Sequence, residues 1–142
     1  MKHILKTDNF EISMDLKIFE SDITYPTNTI MKVVVQSDDF SAGTSMDIDI
    51  KEFAQFVSNL VNIYETLSGE ATIEEPYGQK MYISFIGNGR GYISVKGYLH
   101  SSNNGYEQRL EFENDIDQTY LQNFCYELKN SYQKYLINVR KK

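Results

Sequence analysis

The sequence lacks any apolar stretch long enough to cross a bilayer, and it has one cysteine, Cys125, among 142 residues. A membrane-spanning helix needs about 20 consecutive apolar residues. At the N terminus only Ile4 and Leu5 stand where a signal peptide needs a longer apolar segment. A lone cysteine cannot form an internal disulfide, which agrees with a reducing compartment. We therefore expect a cytoplasmic protein that has no contact with a membrane.

Basic residues are scarce in the first half of the chain. Residues 1–75 hold 14 acids and 5 bases, whereas residues 76–142 hold 6 acids and 9 bases. Phosphate binding needs clustered Lys and Arg, so the composition argues against direct binding of nucleic acid. An acidic half would instead suit a basic protein partner, such as the active face of a nuclease. Ordinary solubility is the alternative explanation of these charges.

Residues that could catalyse a reaction or bind a metal are also few. His3, His100 and Cys125 lie far apart and have no recognised ligand spacing. The segment GNGRG (87–91) resembles part of a phosphate-binding loop, but such loops open a helix, and here a strand pattern resumes. A hairpin turn with Arg90 at its tip explains the glycines better. We predict no catalytic residue, no metal and no cofactor.

Alternation of apolar and polar residues is what the sequence has in abundance, and this alternation is typical of strands. The connections are too short for parallel crossovers, so the predicted strands are antiparallel. The pattern indicates strands over residues 10–18, 30–36, 40–48, 80–87, 91–100 and 106–113, with weaker ones over residues 2–6 and 70–75.

Two segments follow a helical pattern instead, with apolar residues at three- and four-residue steps. Gly69 is placed to end the first of these helices. The first stripe is Phe53, Phe56, Val57, Leu60, Ile63, Tyr64 and Leu67. The second is Leu121, Phe124, Cys125, Leu128, Tyr132, Tyr135 and Leu136.

The tripeptide Asp-Ile-Asp precedes both helices, at residues 47–49 and 115–117. The second aspartate of each copy, Asp49 or Asp117, is placed to be the N-cap of its helix, and Glu52 could complete a capping box with Asp49. The match continues through both helices at an offset of 68 residues, which raises the hypothesis of two related halves. Any two capped amphipathic helices would share this spacing, so the alternative stays open.

Together these patterns predict one α+β domain over residues 1–142. We expect an antiparallel sheet system of about seven strands with two amphipathic helices packed through their apolar stripes.

Two pairs of adjacent acids are candidates for partner binding. Asp38-Asp39 precede a strand, and Glu74-Glu75 precede the segment PYGQK. Adjacent carboxylates on a strand point to opposite faces, so neither pair forms an evident acid/base dyad. Solvated loops are one interpretation. The other is a contact patch formed by the four acids together with Tyr77, with Arg90 as a further contact at a turn tip.

Several phrases of the chain resemble those of the WapI-family immunity proteins. The phrases are YETLSGEA at the end of the first helix, the glycine-centred hairpin, and FENDIDQTYL before the second helix. The similarity spans roughly residues 28 to 137. Members of the family are small cytoplasmic antidotes encoded beside toxins of bacterial polymorphic, contact-dependent systems. The resemblance therefore implies a protein that binds and neutralises a toxin domain and catalyses nothing.

Three functions consequently compete at the level of sequence. The first is a toxin-neutralising immunity protein, with a nuclease as one candidate toxin. The second is a small-ligand-binding or enzymatic domain whose pocket lies between the sheet and the helices. The third is a self-associating module, for which exposed aromatics such as Tyr92 and Tyr98 on one strand face would be the sign.

Overall fold

The computed structural model describes residues 1–76, 81–103 and 105–140, and the side chains of residues 103 and 137–140 are outside the description. The fold is α+β, as expected, with eight antiparallel strands in two four-stranded sheets. The two weaker segments both form strands. The elements are β1 (Lys2–Lys6), β2 (Phe10–Ile18), β3 (Thr29–Ser37), β4 (Phe40–Ile48), α1 (Ile50–Thr66), β5 (Ser68–Glu74), β6 (Tyr82–Asn88), β7 (Tyr92–Asn103), β8 (Tyr106–Asp117) and α2 (Leu121–Arg140).

Each half of the chain repeats one arrangement, in which four consecutive strands form a sheet and a helix follows. The first sheet has the order β1-β2-β3-β4 and the second β5-β6-β7-β8. Every strand pairs with its neighbour in sequence, because connections of a few residues allow only hairpins. This architecture is consistent with two related halves.

One apolar core receives side chains from both sheets and both helices. The stripe of α1 is buried against α2, β5 and β6, and α2 also contacts β1. Ring contacts join these elements: Phe53 of α1 meets Tyr132 of α2 at 5.3 Å, and Phe56 meets Phe85 of β6 at 6.0 Å between centroids. Both predicted helical stripes are confirmed, since their residues are buried or partly buried.

Side chains also join the two sheets to each other. Thr44 on β4 donates a hydrogen bond to the backbone carbonyl of His100 on β7 at 2.9 Å. Phe112 on β8 lies 5.8 Å from Phe10 on β2, measured between ring centroids. The Phe112 ring covers Gly97, its cross-strand partner, so closely that a Cβ at position 97 would lie 2.7 Å from the ring. The two sheets are therefore packed through specific contacts at the β4–β7 junction.

The start of α1 is held by a buried asparagine. Asp49 is the N-cap, as predicted, and accepts the backbone N–H of Lys51 at 3.0 Å. Asn28 is fully buried beside it and donates to Asp49 Oδ1, while its own Oδ1 accepts the N–H of Ile50 at 2.9 Å. Asn28 thus completes the cap for which the sequence suggested Glu52.

The amide of Asn28 also organises the loop before β3. Its Nδ2 donates to the carbonyls of Ile23 and Tyr25 at 3.1 Å each, and its Oδ1 accepts the hydroxyl of Thr29. One side chain therefore ties the 19–28 segment to the β4–α1 junction.

The start of the second helix is capped more simply. Asp117 accepts the backbone N–H and the hydroxyl of Thr119, both at 2.9 Å. These bonds cap a short 3₁₀ turn, Gln118–Tyr120, which leads directly into α2. They also lower the pKa of the Asp117 carboxyl, the backbone bond contributing most. Both predicted caps are therefore present.

The end of α1 differs from the expectation. The left-handed residue that closes the helix is Leu67, with φ of 66°, rather than Gly69, which lies within β5. The carbonyl of Leu67 accepts the N–H of Gly89 at 2.7 Å. Gly87 leaves room for this backbone, since a Cβ there would lie 2.6 Å from the same carbonyl oxygen. A tertiary contact thus decides where the helix ends.

The β7–β8 hairpin is longer than predicted. Strand β7 continues to Asn103 and β8 to Asp117, where the alternation had suggested ends at residues 100 and 113. Gly105, with φ of 83°, lies in the turn between them. The hairpin therefore extends past the part of the sheet that covers the core.

Replacing Asn28 by Ala should destabilise the fold by roughly 2–4 kcal/mol, because it leaves the buried Ile50 N–H and several carbonyls without partners. Asp49→Ala should cost about 1 kcal/mol as an ordinary cap loss. Urea unfolding measures both values. The matched control is Asn59→Ala, since Asn59 bonds only an exposed helical neighbour, Gln55. An Asn28→Ala variant as stable as the Asn59→Ala variant would contradict the role given to this amide.

Asp117→Ala should lower stability at neutral pH and lose this effect in acid. The folded-state pKa of Asp117 lies below its model value of 3.8, so its stabilising contribution is complete above that value and disappears as the pH falls through the folded pKa. The measurement is the urea midpoint of wild type and variant between pH 7 and pH 3. Asp115→Ala removes a nearby charge without a cap and is the control. Identical pH profiles for the two variants would mean that Asp117 is not acting as a cap.

Candidate functional site

The outer face of the second sheet carries a dense group of carboxylates. Alternate residues of β5 and β8 point away from the core, and on both of these outer strands they are mostly acidic. We call this surface the acidic face. Its residues are Glu70, Glu74, Ile86, Tyr82, Ser94, Lys96, Tyr98, Glu111, Glu113 and Asp115.

Cross-strand pairing places two tyrosines at the centre of this face between two acids. Glu74 is paired with Tyr82, Tyr82 with Tyr98, and Tyr98 with Glu111, so the four residues form one row across all four strands. Both tyrosines are half-buried. Tyr98 also contacts His100, with 5.8 Å between ring centroids. The row thus presents apolar ring surface and hydroxyl groups with negative charge on either side.

The outer face of the first sheet has a different character. It carries four lysines and three acids, so its charges nearly balance. Its centre is formed by Ile4, Ser13, Val34 and Gly43, which pair across the four strands. The charged members are Lys2, Lys6, Lys17, Lys32, Glu11, Asp15 and Asp47. The acidic face is therefore a property of the second sheet alone.

The structure separates the two acid pairs that the sequence suggested as one patch. Asp38 and Asp39 form the β3–β4 turn, where Asp38 has φ of 56° and donates its N–H to Asn9. Glu74 and Glu75 lie near the other end of β4, where Glu75 Oε2 accepts the Asp47 N–H at 2.9 Å. Asp39 and Asp47 are eight strand residues apart, which is roughly 26 Å.

The remaining residues of the suggested patch are found elsewhere or lie outside the description. Glu74 belongs to the acidic face, whereas Glu75 turns towards β4. Arg90 is exposed at the tip of the β6–β7 turn, in which Gly89 and Gly91 have φ of 82° and 99°, as the glycine pattern indicated. Tyr77 lies outside the described residues.

Two adjoining grooves run along β4. One, of about 410 Å³, lies between residues 40–44 of β4 and residues 99–101 and 108–110 of the β7–β8 hairpin. The other, of about 420 Å³, continues along β4 to Asp47, Glu75 and Met81. They share Thr44, His100 and Ser101, so they form one continuous depression beside the acidic face.

The residues considered as metal ligands serve the core instead. His3 is buried, with Nδ1 at 2.6 Å from Glu127 Oε1 and Nε2 at 2.8 Å from the hydroxyl of Tyr132. Burial raises the pKa of Tyr132 to about 12, so its hydroxyl stays protonated. Within the described ranges, no group of three or more His, Cys, Asp or Glu side chains is arranged to hold a metal ion.

The sequence did contain a signal for the acidic face that the half-chain charge count obscured. Glu107, Arg109, Glu111, Glu113 and Asp115 occupy alternate positions of β8 and so share one face. The second half has a net positive charge because its bases lie mainly on α2 and beyond it. Charge counted separately for each strand face, rather than for each half, would have indicated this surface.

The membrane prediction concerns only the helices of the described segments. In residues 1–76, 81–103 and 105–140, neither helix is both long and apolar enough to span a bilayer.

Cys125 should be unreactive in the folded protein. Its thiol is buried on α2, and burial raises its pKa to about 11. At pH 8 only about one thiol in 1,000 would then be ionised, and the thiolate is the reactive form. Reaction with a disulfide reagent such as DTNB should therefore be slow without urea and become fast on unfolding. A native rate similar to that of free cysteine would show that the thiol is accessible.

Similarity to solved structures is confined to low sequence identity. MRP1/MRP2 of Trypanosoma brucei has 11% identity over 96% of this chain and 82% of that chain, with a TM-score of 0.49. The plant transcriptional regulator PBF-2 has 9% identity over 99% and 84%, with 0.49, and WHY3 from Arabidopsis thaliana has 10% over 96% and 88%, with 0.46. We base no functional conclusion on these likenesses. No curated protein sequence matches the chain.

A family model gives a more informative match. The model of the immunity protein WapI-like family matches residues 3–136, which include both sheets, α1 and most of α2. This agrees with the resemblance in the capped helix starts and the glycine-centred hairpin. The chain belongs to the WapI-like immunity protein family.

Proposed function

We propose that this protein is a non-catalytic inhibitor that binds a cognate bacterial toxin domain in the cytoplasm and neutralises it. Family membership supports an immunity function. The observation that carries the binding step is the acidic face, with its central row Glu74-Tyr82-Tyr98-Glu111. No reaction is assigned to the chain, and its contribution is occupation of the toxin surface.

The chemistry of the acidic face suits a basic protein surface. Five carboxylates surround one ammonium group, Lys96, so the local potential is strongly negative. Such a field steers a positively charged partner into contact and raises the association rate. Half-buried tyrosines held on a sheet lose little conformational entropy on binding, which makes them effective interface anchors. Charge and anchors occur together here.

A nuclease is the toxin class that best matches this charge. A nuclease cleft must hold phosphates and is therefore basic. A protein surface carrying several carboxylates could cover such a cleft and compete directly with nucleic acid. Inhibition would then be competitive with substrate, and salt would weaken the complex.

The first experiment uses the toxin domain encoded by the adjacent upstream gene. Purified wild-type protein should bind this domain in isothermal titration calorimetry and abolish its activity at a 1:1 ratio. Co-expression should also restore growth of cells that produce the toxin domain. Absence of both binding and growth rescue would refute the proposed function.

A charge-reversal pair then tests the acidic face. Glu111→Lys with Glu113→Lys should slow association by about 10-fold or more at low salt, because both charges lie on the proposed contact surface. Stopped-flow or surface plasmon resonance measures the association rate. The matched control is Glu11→Lys with Asp15→Lys, which makes the same change in net charge on the outer face of the first sheet. Equal slowing by both pairs would mean that net charge, and not this face, controls association.

The tyrosine row gives a second readout that is less sensitive to salt. Tyr98→Ala should weaken the complex by about 10-fold or more, mainly through faster dissociation. Tyr25→Ala removes an aromatic that is 60% exposed outside both sheets and should leave affinity unchanged. Urea unfolding of each variant separates lost contacts from lost stability. Unchanged affinity of a stable Tyr98→Ala variant would remove this row from the interface.

A further inference from the structure

The outer edge of β4 leaves backbone hydrogen-bonding groups unpaired. The N–H of Asp47 points away from β3, because it donates to Glu75 Oε2. The N–H and C=O of one strand residue point to the same side, and this direction alternates along an antiparallel strand. The backbone groups of Ser41, Gly43 and Ser45 therefore also point away from β3. Among the described residues they have no hydrogen-bond partner.

This edge also lacks the features that usually protect a free strand. Exposed edges are normally blocked by charged side chains, proline or a bulge. The other three outer strands follow this rule: β1 has Lys2 and Lys6, β5 has Glu70 and Glu74, and β8 has four acids and Arg109. Between Phe40 and Met46, β4 has the sequence Ser-Ala-Gly-Thr-Ser, in regular register with β3. Small uncharged side chains leave its backbone accessible.

Beside this edge lies the groove of about 410 Å³. Leu99 and Leu110 of the β7–β8 hairpin line its far wall together with Ser101 and Gln108. Phe40 lies at one end with 69% of its surface exposed. An added strand would enter a cleft that already has one wall of backbone donors and acceptors and another of mixed apolar and polar side chains.

Negative charge is placed at both ends of β4. Asp38 and Asp39 form the turn before Phe40, and Asp47 and Glu75 lie at the other end. Glu75 Oε1 is buried and accepts no hydrogen bond from the described residues. The two acidic ends are roughly 26 Å apart along the strand. A bound segment would match this pattern if it carried a basic residue towards each end.

We propose that an extended segment of the toxin, basic towards both ends, adds to β4 as a fifth strand of the first sheet. This proposal rests on the proposed function and specifies part of its interface. Main-chain hydrogen bonds to Ser41, Gly43 and Ser45 would supply affinity, and the acids at the ends would set register.

The size of the surface supports a role for both regions. The acidic face spans four strands and about seven residues of length, or roughly 450 Å² at ordinary strand spacing. A stable protein complex usually buries about 800 Å² on each partner. The β4 groove adjoins the acidic face at His100, next to Tyr98, so the two surfaces can be covered by one partner.

A second copy of this chain is a poorer occupant of the same edge. Antiparallel pairing of two β4 strands would place Asp38 and Asp39 of one copy near Asp47 and Glu75 of the other. Like charges that face each other across strands repel and weaken pairing. The charge pattern thus favours a basic segment over self-pairing.

Residue-resolved amide hydrogen exchange by NMR tests the proposal, with the upstream-encoded toxin domain as the probe. In the free protein the amides of Ser41, Gly43 and Ser45 should exchange fast, whereas those of Ala42 and Thr44 should be protected by β3. Binding should slow exchange of the three odd-numbered amides by at least about 10-fold. A complex that forms while these amides stay fast would overturn the added strand and leave the proposed function intact.

Two substitutions at one position provide the matched pair. Gly43→Pro removes an outward N–H, at the kind of edge position where proline is tolerated, and should weaken toxin binding by about 10-fold or more. Gly43→Ala keeps the N–H, and its Cβ would lie 3.5 Å from Val34, an ordinary contact, so binding should be nearly normal. Circular dichroism and urea unfolding check that both variants fold. Normal binding by a folded Gly43→Pro variant would overturn the proposal.

Two further outcomes would separate the alternatives. Slow exchange of the three amides without toxin, together with dimerisation in analytical ultracentrifugation, would assign the edge to self-association and refute the toxin segment. If the wild-type protein does not bind the toxin domain, the proposed function fails first, and this proposal fails with it.

Discussion

The position of α1 depends on the buried amide of Asn28. This side chain joins the loop before β3, the Asp49 cap and the first backbone N–H of the helix, and it is inaccessible to water. Helix α1 in turn packs against α2, β5 and β6, so it connects the first sheet to the second half of the chain. The relative placement of the two sheets therefore traces back to how one amide satisfies several backbone groups. Burial without these bonds would be costly.

Much of the fold could be read from the sequence because burial imposes a period on it. Alternation identified the strands, and three- and four-residue steps identified both helical stripes. The end of the β7–β8 hairpin could not be read in this way. Residues 101–103 extend past the core, where neither face is buried, so Ser101 and Ser102 carry no alternating signal. The end of α1 was missed because it is set by a contact between Leu67 and Gly89, which are distant in sequence.

The candidate site was harder to predict because it depends on strand register. Tyr98 was identified as an exposed-face aromatic, but its row with Glu74, Tyr82 and Glu111 requires three separate pairings to be known. The acid pairs were visible in the sequence, but their separation along β4 was not. Register is decided by turn geometry and core packing together, and neither can be extracted from the composition of a loop.

Register also explains why one offset relates only part of the two halves. Ile48 and Ile116, 68 residues apart, are buried at the ends of β4 and β8, but their partners Thr29 and Ile93 are 64 residues apart. The longer β7–β8 hairpin adds two cross-strand pairs, which accounts for the four-residue difference. At the shorter offset the buried positions of β3 and β7 coincide, so that Val33 corresponds to Gly97.

The packing of Phe112 over Gly97 restricts how relatives of this protein can vary. A side chain at position 97 would collide with the Phe112 ring and with the carbonyl oxygen of Tyr82, which cannot move without disturbing the β6–β7 pairing. The same ring contacts Phe10 of the first sheet, so a smaller residue at position 112 would open a gap between the sheets. Positions 10, 97 and 112 should therefore change together in evolution, while the acids of the outer surface remain free to follow the toxin.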